Sequence, residues 1–182
     1  HVHTIKVLYD KEKTDVITKR EWNEELNRPI RNFPEQVSLL RRVINSHQSR
    51  VQSVLRIHSV ANKLIIFYNF NFELHALKEA FDATDTVVAE HNGFRHDPLP
   101  TGDNWVYLVQ YMSGNEAWEC HTTNYMVFFS LNYSYRITIQ AMGRINRLNT
   151  PYEDLYYFRL VSNHKLDKSI DSALSKKKNF NI

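Results

Sequence analysis

The chain has 182 residues and a mass of 21.6 kDa, with 13% aromatic residues, four glycines, five prolines and one cysteine, and a mass of this order buries about 70% of its unfolded surface without needing staples. Cys120 has no partner and the longest apolar runs are about five residues, so collagen-like, disulfide-stapled, membrane-spanning and disordered classes are excluded. The net charge of +3 gathers at the front, where residues 1–60 hold 11 basic and 7 acidic groups, and an excess that small fits an ordinary solvated face as well as a nucleic-acid footprint.

The chain opens at His1 with neither an initiator Met nor a signal-peptide core, which leads us to expect a piece of something larger. Residues 1–33 read as an N-terminal extension in which Ile5–Tyr9 and Asp15–Thr18 flank a charged Lys11-Glu12-Lys13 turn as a β-hairpin. Over 34–60, Val37, Leu40, Ile44, Val51, Val54 and Leu55 recur at helical spacing and predict one or two covering helices with a break near Ser46. From residue 64 onward the apolar bursts Leu64–Tyr68, Thr86–Glu90, Trp105–Val109, Tyr125–Phe129 and Leu155–Leu160 read as buried strands. Helix-period segments alternate with them: Leu74, Leu77 and Phe81 share one face, Ile137 to Ile145 form another helix, and Leu166, Ile170, Ala173 and Leu174 form a third stripe. Asn71 and Asp167 suit N-caps, and Asn149-Thr150-Pro151 is a stop. The repeated β-α-β pattern predicts a parallel, doubly wound α/β sheet over 34–182. Between Gly93 and Trp105 the string Phe94-Arg-His-Asp-Pro98-Leu-Pro100-Thr-Gly102-Asp predicts a loop.

The sharpest local signal is Gln140-Ala-Met-Gly143-Arg144-Ile-Asn-Arg147 at the end of a predicted helix. Gly143 allows close backbone approach, and the three-residue spacing sets Arg144 and Arg147 on one helical face. Two converging guanidinium groups suit an anion whose charge develops in a transition state, as in phosphoryl transfer. Taken alone, the same string is a solvated arginine-rich helix end. Cys120-His121 with His91 and His96 matches no zinc template, and adjacent side chains diverge, so a buried Cys and surface histidines are expected. Most aromatics lie on predicted inner strands; Trp118 does not, and it is the one candidate for base stacking. Arg41, Arg42, Arg50 and Arg56 on the covering helices suit a basic track as readily as a solvated face, and Lys176 to Lys178 read as a solvated C-terminus before a contact to nucleic acid or an adjoining segment.

Three segments together resemble a known family. Leu64-Ile-Ile-Phe-Tyr68 with Asn69 looks like motif four, Val106 to Cys120 with Gly114 like the strand, loop and helix of motif five, and Tyr125 to Phe129, Asn132 to Tyr135 and Gln140 to Arg147 like the next strand and motif six. In order and spacing, residues 64–178 resemble the C-terminal RecA-like lobe of superfamily-two helicases and translocases, closest to Swi/Snf-type ATPases and phage-encoded relatives, with core motifs over 64–147. The resemblance implies a three-layer α/β/α lobe working against an N-terminal P-loop lobe that binds ATP and Mg²⁺. It implies that Arg144 and Arg147 are arginine fingers, that Gln140 and Gly143 organise that interface, and that Glu119 lies near the nucleotide ribose. It further implies that Asn69, Gly93, Tyr111, Ser113 and Gly114 face the backbone of DNA, with RNA as the other substrate, in the cytoplasm of a bacterial or phage-infected cell. Tyr111 stands where many relatives carry Ser or Thr, and motif five has only Gly114 where relatives have several glycines. These residues contain no G-x-x-x-x-G-K-[ST] and no acidic Walker B strand, so the isolated chain is expected not to hydrolyse ATP. The other reading is a non-catalytic module, derived from such a lobe, that binds nucleic acid or a protein.

Overall fold

The computed structural model describes residues 1–113 and 117–182. Six strands, β1 (Val2–Val7), β4 (Lys63–Tyr68), β5 (Val87–His91), β6 (Trp105–Gln110), β7 (Tyr125–Phe128) and β8 (Tyr156–Ser162), form one sheet in the order β1-β8-β7-β4-β6-β5. Every ladder in it is parallel. The central strands are apolar without a break over Leu64–Tyr68 of β4 and Trp105–Val109 of β6 because both of their faces are covered. Alternation divides the core accordingly. Leu64, Ile66, Tyr68 and Leu160 pack under α3 (Gln48–Ala61) and α4 (Asn71–Asp82), while Ile65, Phe67, Phe128 and Tyr157 pack under α5 (Tyr135–Met142). Val161 lies on the α5 side of β8, as Tyr157 does, and holds Ile170 and Leu174 of α6 (Lys165–Ser175), completing that layer.

The expected hairpin at the front is not formed. Val2–Val7 is instead the edge strand β1, in register with β8, and α1 (Lys11–Lys19) follows. The supposed turn is a helix start because the Asp10 carboxylate accepts the Lys13 amide, and Thr14 and Ile17 turn inward one helical step apart. A two-stranded hairpin does occur later, β2 (Trp22–Asn23) with β3 (Arg28–Pro29). The two covering helices are α2 (Phe33–Asn45) and α3, broken at Ser46-His47. Ile17, Leu40 and Ile44 make a satellite core beneath α1 and α2 that reaches α6 through Leu166. Phe70, not Asn71, caps α4, and His164, not Asp167, caps α6; Asp167 is buried. The segment from Asn92 to Asn104 is a loop in which Gly102, at φ 94°, takes the one glycine conformation with positive φ in the described residues.

Glu35 pins the hairpin to α2. Its carboxylate accepts the Arg31 amide at 2.9 Å, Asn23 Nδ2 at 2.8 Å and Arg28 Nη2 at 2.8 Å. These bonds, the Arg31 amide first, lower its pKa from 4.5 to about 2. A depressed carboxyl stabilises the fold above its unfolded pKa, and that contribution disappears as pH falls through the folded value. Acid titration of the wild-type chain followed by Trp22 solvent exposure should therefore show the hairpin loosening between pH 4.5 and about 2, and Glu35→Gln should abolish that step.

Candidate functional site

In an open parallel sheet, ligands are received at the carboxyl ends of the strands. Here that rim carries a polar network centred on Asn69, just after β4. Its Nδ2 donates to Ser130 Oγ at 2.8 Å and to the Leu131 carbonyl at 3.1 Å, and its Oδ1 accepts Asn132 Nδ2 at 3.0 Å. Its carbonyl accepts Gln110 Nε2 and its amide donates to Glu73 Oε2. Asn69 thus ties the loop after β4 to the last residue of β6 and to the loop after β7, with its side chain committed inside the protein. Below it Glu73 is fully buried and accepts from Ser130 Oγ and Asn45 Nδ2 as well. Burial pushes its carboxyl upward in pKa against the pull of these donors and of Arg41 and Arg50.

Tyr111 and Ser113 form the single 3-10 turn after β6. The Tyr111 ring is buried against Phe67 and Phe128, and its hydroxyl donates to the Ser130 carbonyl at 2.9 Å. Its side chain therefore faces the core, and only its main chain is presented at the rim. The ring fills the space between the turn and those two side chains. Ser113 Oγ lies within bonding distance of the His91 and Gln110 carbonyls, which fastens this turn to β5. Gly93 is exposed at the end of β5, with ordinary negative φ and no atom within 4 Å of a Cβ built on it. Gly114 lies outside the described residues. Replacing Tyr111 by Phe should cost about 1 kcal/mol, or 2–4 °C in Tm, because a buried acceptor loses its donor, and should leave nucleic-acid affinity unchanged. Lower affinity at unchanged Tm would instead put the hydroxyl on the nucleic acid.

A cleft of about 90 Å³ runs from this rim along α5, lined by Tyr111, Met112, Ile137, Gln140 and Arg144 among others. The helix that carries the motif is shorter than its spacing suggested. Ser134 caps it by accepting the Ile137 amide, and it ends at Met142 with Gly143 as C-cap. Arg144 occupies the tight turn that follows, held by its amide to the Ala141 carbonyl, and Arg147 lies beyond it. The two arginines are therefore not on one helical face, and they are brought together by a shared partner segment. Arg144 Nη1 donates to the Trp118 carbonyl at 2.9 Å and its guanidinium lies 5.1 Å from the Trp118 ring centroid. Arg147 Nε lies 3.2 Å from Glu119 Oε2, and His121 Nε2 lies 3.6 Å from the same oxygen. Partial burial, and next the charge of Arg147, draw the Arg144 guanidinium below its ordinary pKa. An anion placed between the two cations would relieve that repulsion.

Gly143 adopts φ −63°, and the nearest atoms to a Cβ built on it are the carbonyls of Gln140 and Ile139 in its own helix, so no outside backbone approaches there. Trp118 is packed against Phe67 and edge-on to Tyr107, and this removes it as a base-stacking platform. Arg41 and Arg50 are buried, so the proposed basic track on the covering helices reduces to Arg42 and Arg56. Arg42 pairs with Glu25. Among the described residues no three His, Cys, Asp or Glu side chains are grouped to hold a metal ion, and no helix is long and apolar enough to cross a membrane.

The comparison with solved structures bears on the whole arrangement. The C-terminal part of the Fun30 ATPase domain superposes with a TM-score of 0.64 at 14% identity, over 76% of this chain. The fold is an α/β, RecA-like arrangement of a parallel sheet flanked by helices, as in that neighbour. This likeness rests on the path of the backbone, and it agrees with the resemblance read from the three motifs. The match covers 48% of the length of that solved chain. No family model and no curated protein matches the sequence.

Sequence reasoning missed the buried salt bridge between Arg50 and Asp167, at 2.6 Å. Its only trace was an arginine inside an otherwise apolar helical stripe.

Proposed function

We propose that this lobe is the C-terminal motor half of an ATP-dependent DNA helicase or translocase, acting against a P-loop lobe and gripping the nucleic-acid backbone at its strand-end rim. The observation that carries the reading is the cleft in which Gln140 and Arg144 meet the turn after β6, with Arg147 held beside them on Glu119. The paired guanidinium groups suit the oxygens of a triphosphate, and the cleft is too small to enclose a nucleotide, which fits a site completed by a facing lobe. ATP with Mg²⁺, bound mainly by the facing lobe, supplies the phosphoryl group whose charge must be stabilised. On this side Arg144 and Arg147 provide that stabilisation, Gln140 lines the approach, and Glu119 orients Arg147.

The Asn69 network makes the rim one rigid unit, so a shift of α5 and a shift of the backbone-gripping loops are mechanically linked through Ser130 and Asn132. The intact protein should hydrolyse ATP faster with single- or double-stranded DNA than without it, and the 182-residue chain alone should not. Equal turnover by the isolated chain would overturn the proposal. One observation favours the non-catalytic module: both arginines already have partners within the lobe.

A further inference from the structure

We infer that α6 presents a second nucleic-acid contact, separate from the strand-end rim, that takes the phosphate backbone of a duplex. Charge on this helix is sorted by face. Its two acids turn inward, Asp167 to Arg50 at 2.6 Å and Asp171 to Arg159 at 2.9 Å. Its lysines turn outward. Lys165, Lys168, Ser169, Ser172 and Lys176 recur at steps of three and four residues and so share one stripe. They line an open groove of about 660 Å³. The helix then ends in a left-handed turn, with Lys177 at φ 58° and the Lys178 amide bonded back to the Ala173 carbonyl, which returns Lys178 to the same groove. None of these four groove lysines has an ion pair among the described residues.

From Lys165 to Lys176 the stripe runs about 16 Å along the helix. A duplex offers one charge per about 1.7 Å of its axis, so such a stripe faces several phosphates at once. Serine hydroxyls interleaved with lysines supply the hydrogen bonds that phosphate oxygens take. The groove has no exposed aromatic ring, which favours a duplex over unstacked single strands, and no exposed large apolar side chain of the kind that seats a helix in a lipid surface.

This inference rests only on the nucleic-acid half of the proposed function, and its test contains no ATP. Binding of the 182-residue chain to a fluorescent DNA duplex is measured from 50 to 200 mM salt. The triple variant Lys165→Gln, Lys168→Gln, Lys176→Gln is compared with a charge-matched control on α1, Lys11→Gln, Lys13→Gln, Lys19→Gln. Glutamine keeps the helix propensity of lysine, and thermal melting confirms that both fold. The α6 variant should lower the magnitude of the salt slope by about 3, and the control should leave it nearly unchanged. No duplex binding by the parent chain, equal losses in both variants, or tighter binding to phosphatidylserine vesicles than to duplex would each overturn the inference. An unaffected slope here, with DNA-stimulated ATP turnover in the separate assay of the intact protein, would sink the α6 contact alone, whereas a lysine-dependent slope here with no turnover by the intact protein would sink the motor alone.

Discussion

Replacing Arg144 by alanine in the intact protein is expected to lower nucleic-acid-stimulated ATP turnover by about 10³ or more, the scale at which arginine fingers act in phosphoryl transfer. The fold itself should survive, because Arg144 is only partly buried, and among the described residues its removal frees the Trp118 carbonyl at a cost of about 1 kcal/mol. Melting of the variant within a few degrees of the parent, with turnover nearly abolished, separates a chemical loss from unfolding. Arg144→Lys should rescue little. Lysine is a point charge on a flexible stem and cannot both stack on the Trp118 indole and present a planar fork to phosphate. Near-normal turnover in Arg144→Ala would remove the finger from the account.

The second large effect falls far from the cleft. Arg50 is completely buried and joins four elements: Nε donates to the Ile44 carbonyl, Nη1 to the Phe129 and Leu160 carbonyls, and Nη2 to Asp167 Oδ2. Asp167 also accepts the Ser162 amide at 2.8 Å. Burial lowers the pKa of Arg50, and the charge of Asp167 opposes that shift. Arg50→Ala leaves a buried carboxylate uncompensated and takes the Arg50 donors away from three carbonyls, so a loss of about 3–5 kcal/mol is expected. At this chain length that is a Tm lower by about 6–20 °C. Asp167→Ala should cost a similar amount, and the double variant less than the two single losses added, since one interaction is removed twice. Additive losses in the cycle would show that the pair is not coupled.

The strands and the helices α3 to α6 were legible because burial on both sides of a parallel sheet leaves an unbroken apolar run, and burial on one side of a helix leaves a period. The start of the chain was not. Ile5–Val7 reads the same in a hairpin as at a sheet edge, and the partner that decides between them, Leu160 to Ser162, lies more than 150 residues away. The Gln140 to Arg147 string was legible as a sequence, but its geometry was not, since the helix ends at Met142 and the arginines converge through Trp118 and Glu119. Arg41 and Arg50 were misplaced for a related reason. A basic residue on a helix is ordinarily solvated, and only tertiary carbonyls and carboxylates reveal one that is interior. Tyr111 followed the same logic, with a backbone position in the turn after β6 and a side chain directed by the Phe67 and Phe128 rings beneath it.

The claim that supports the rest is that Arg144 and Arg147 leave their resting partners for a triphosphate held across a lobe interface. A structure of the intact protein trapped with an aluminium fluoride mimic of the transferring phosphate tests it directly. The account predicts a guanidinium nitrogen of Arg144 or Arg147 about 3 Å from a fluoride of the mimic. Both arginines still seated on the Trp118 carbonyl and the Glu119 carboxylate, with the mimic bound and no guanidinium near it, would contradict it.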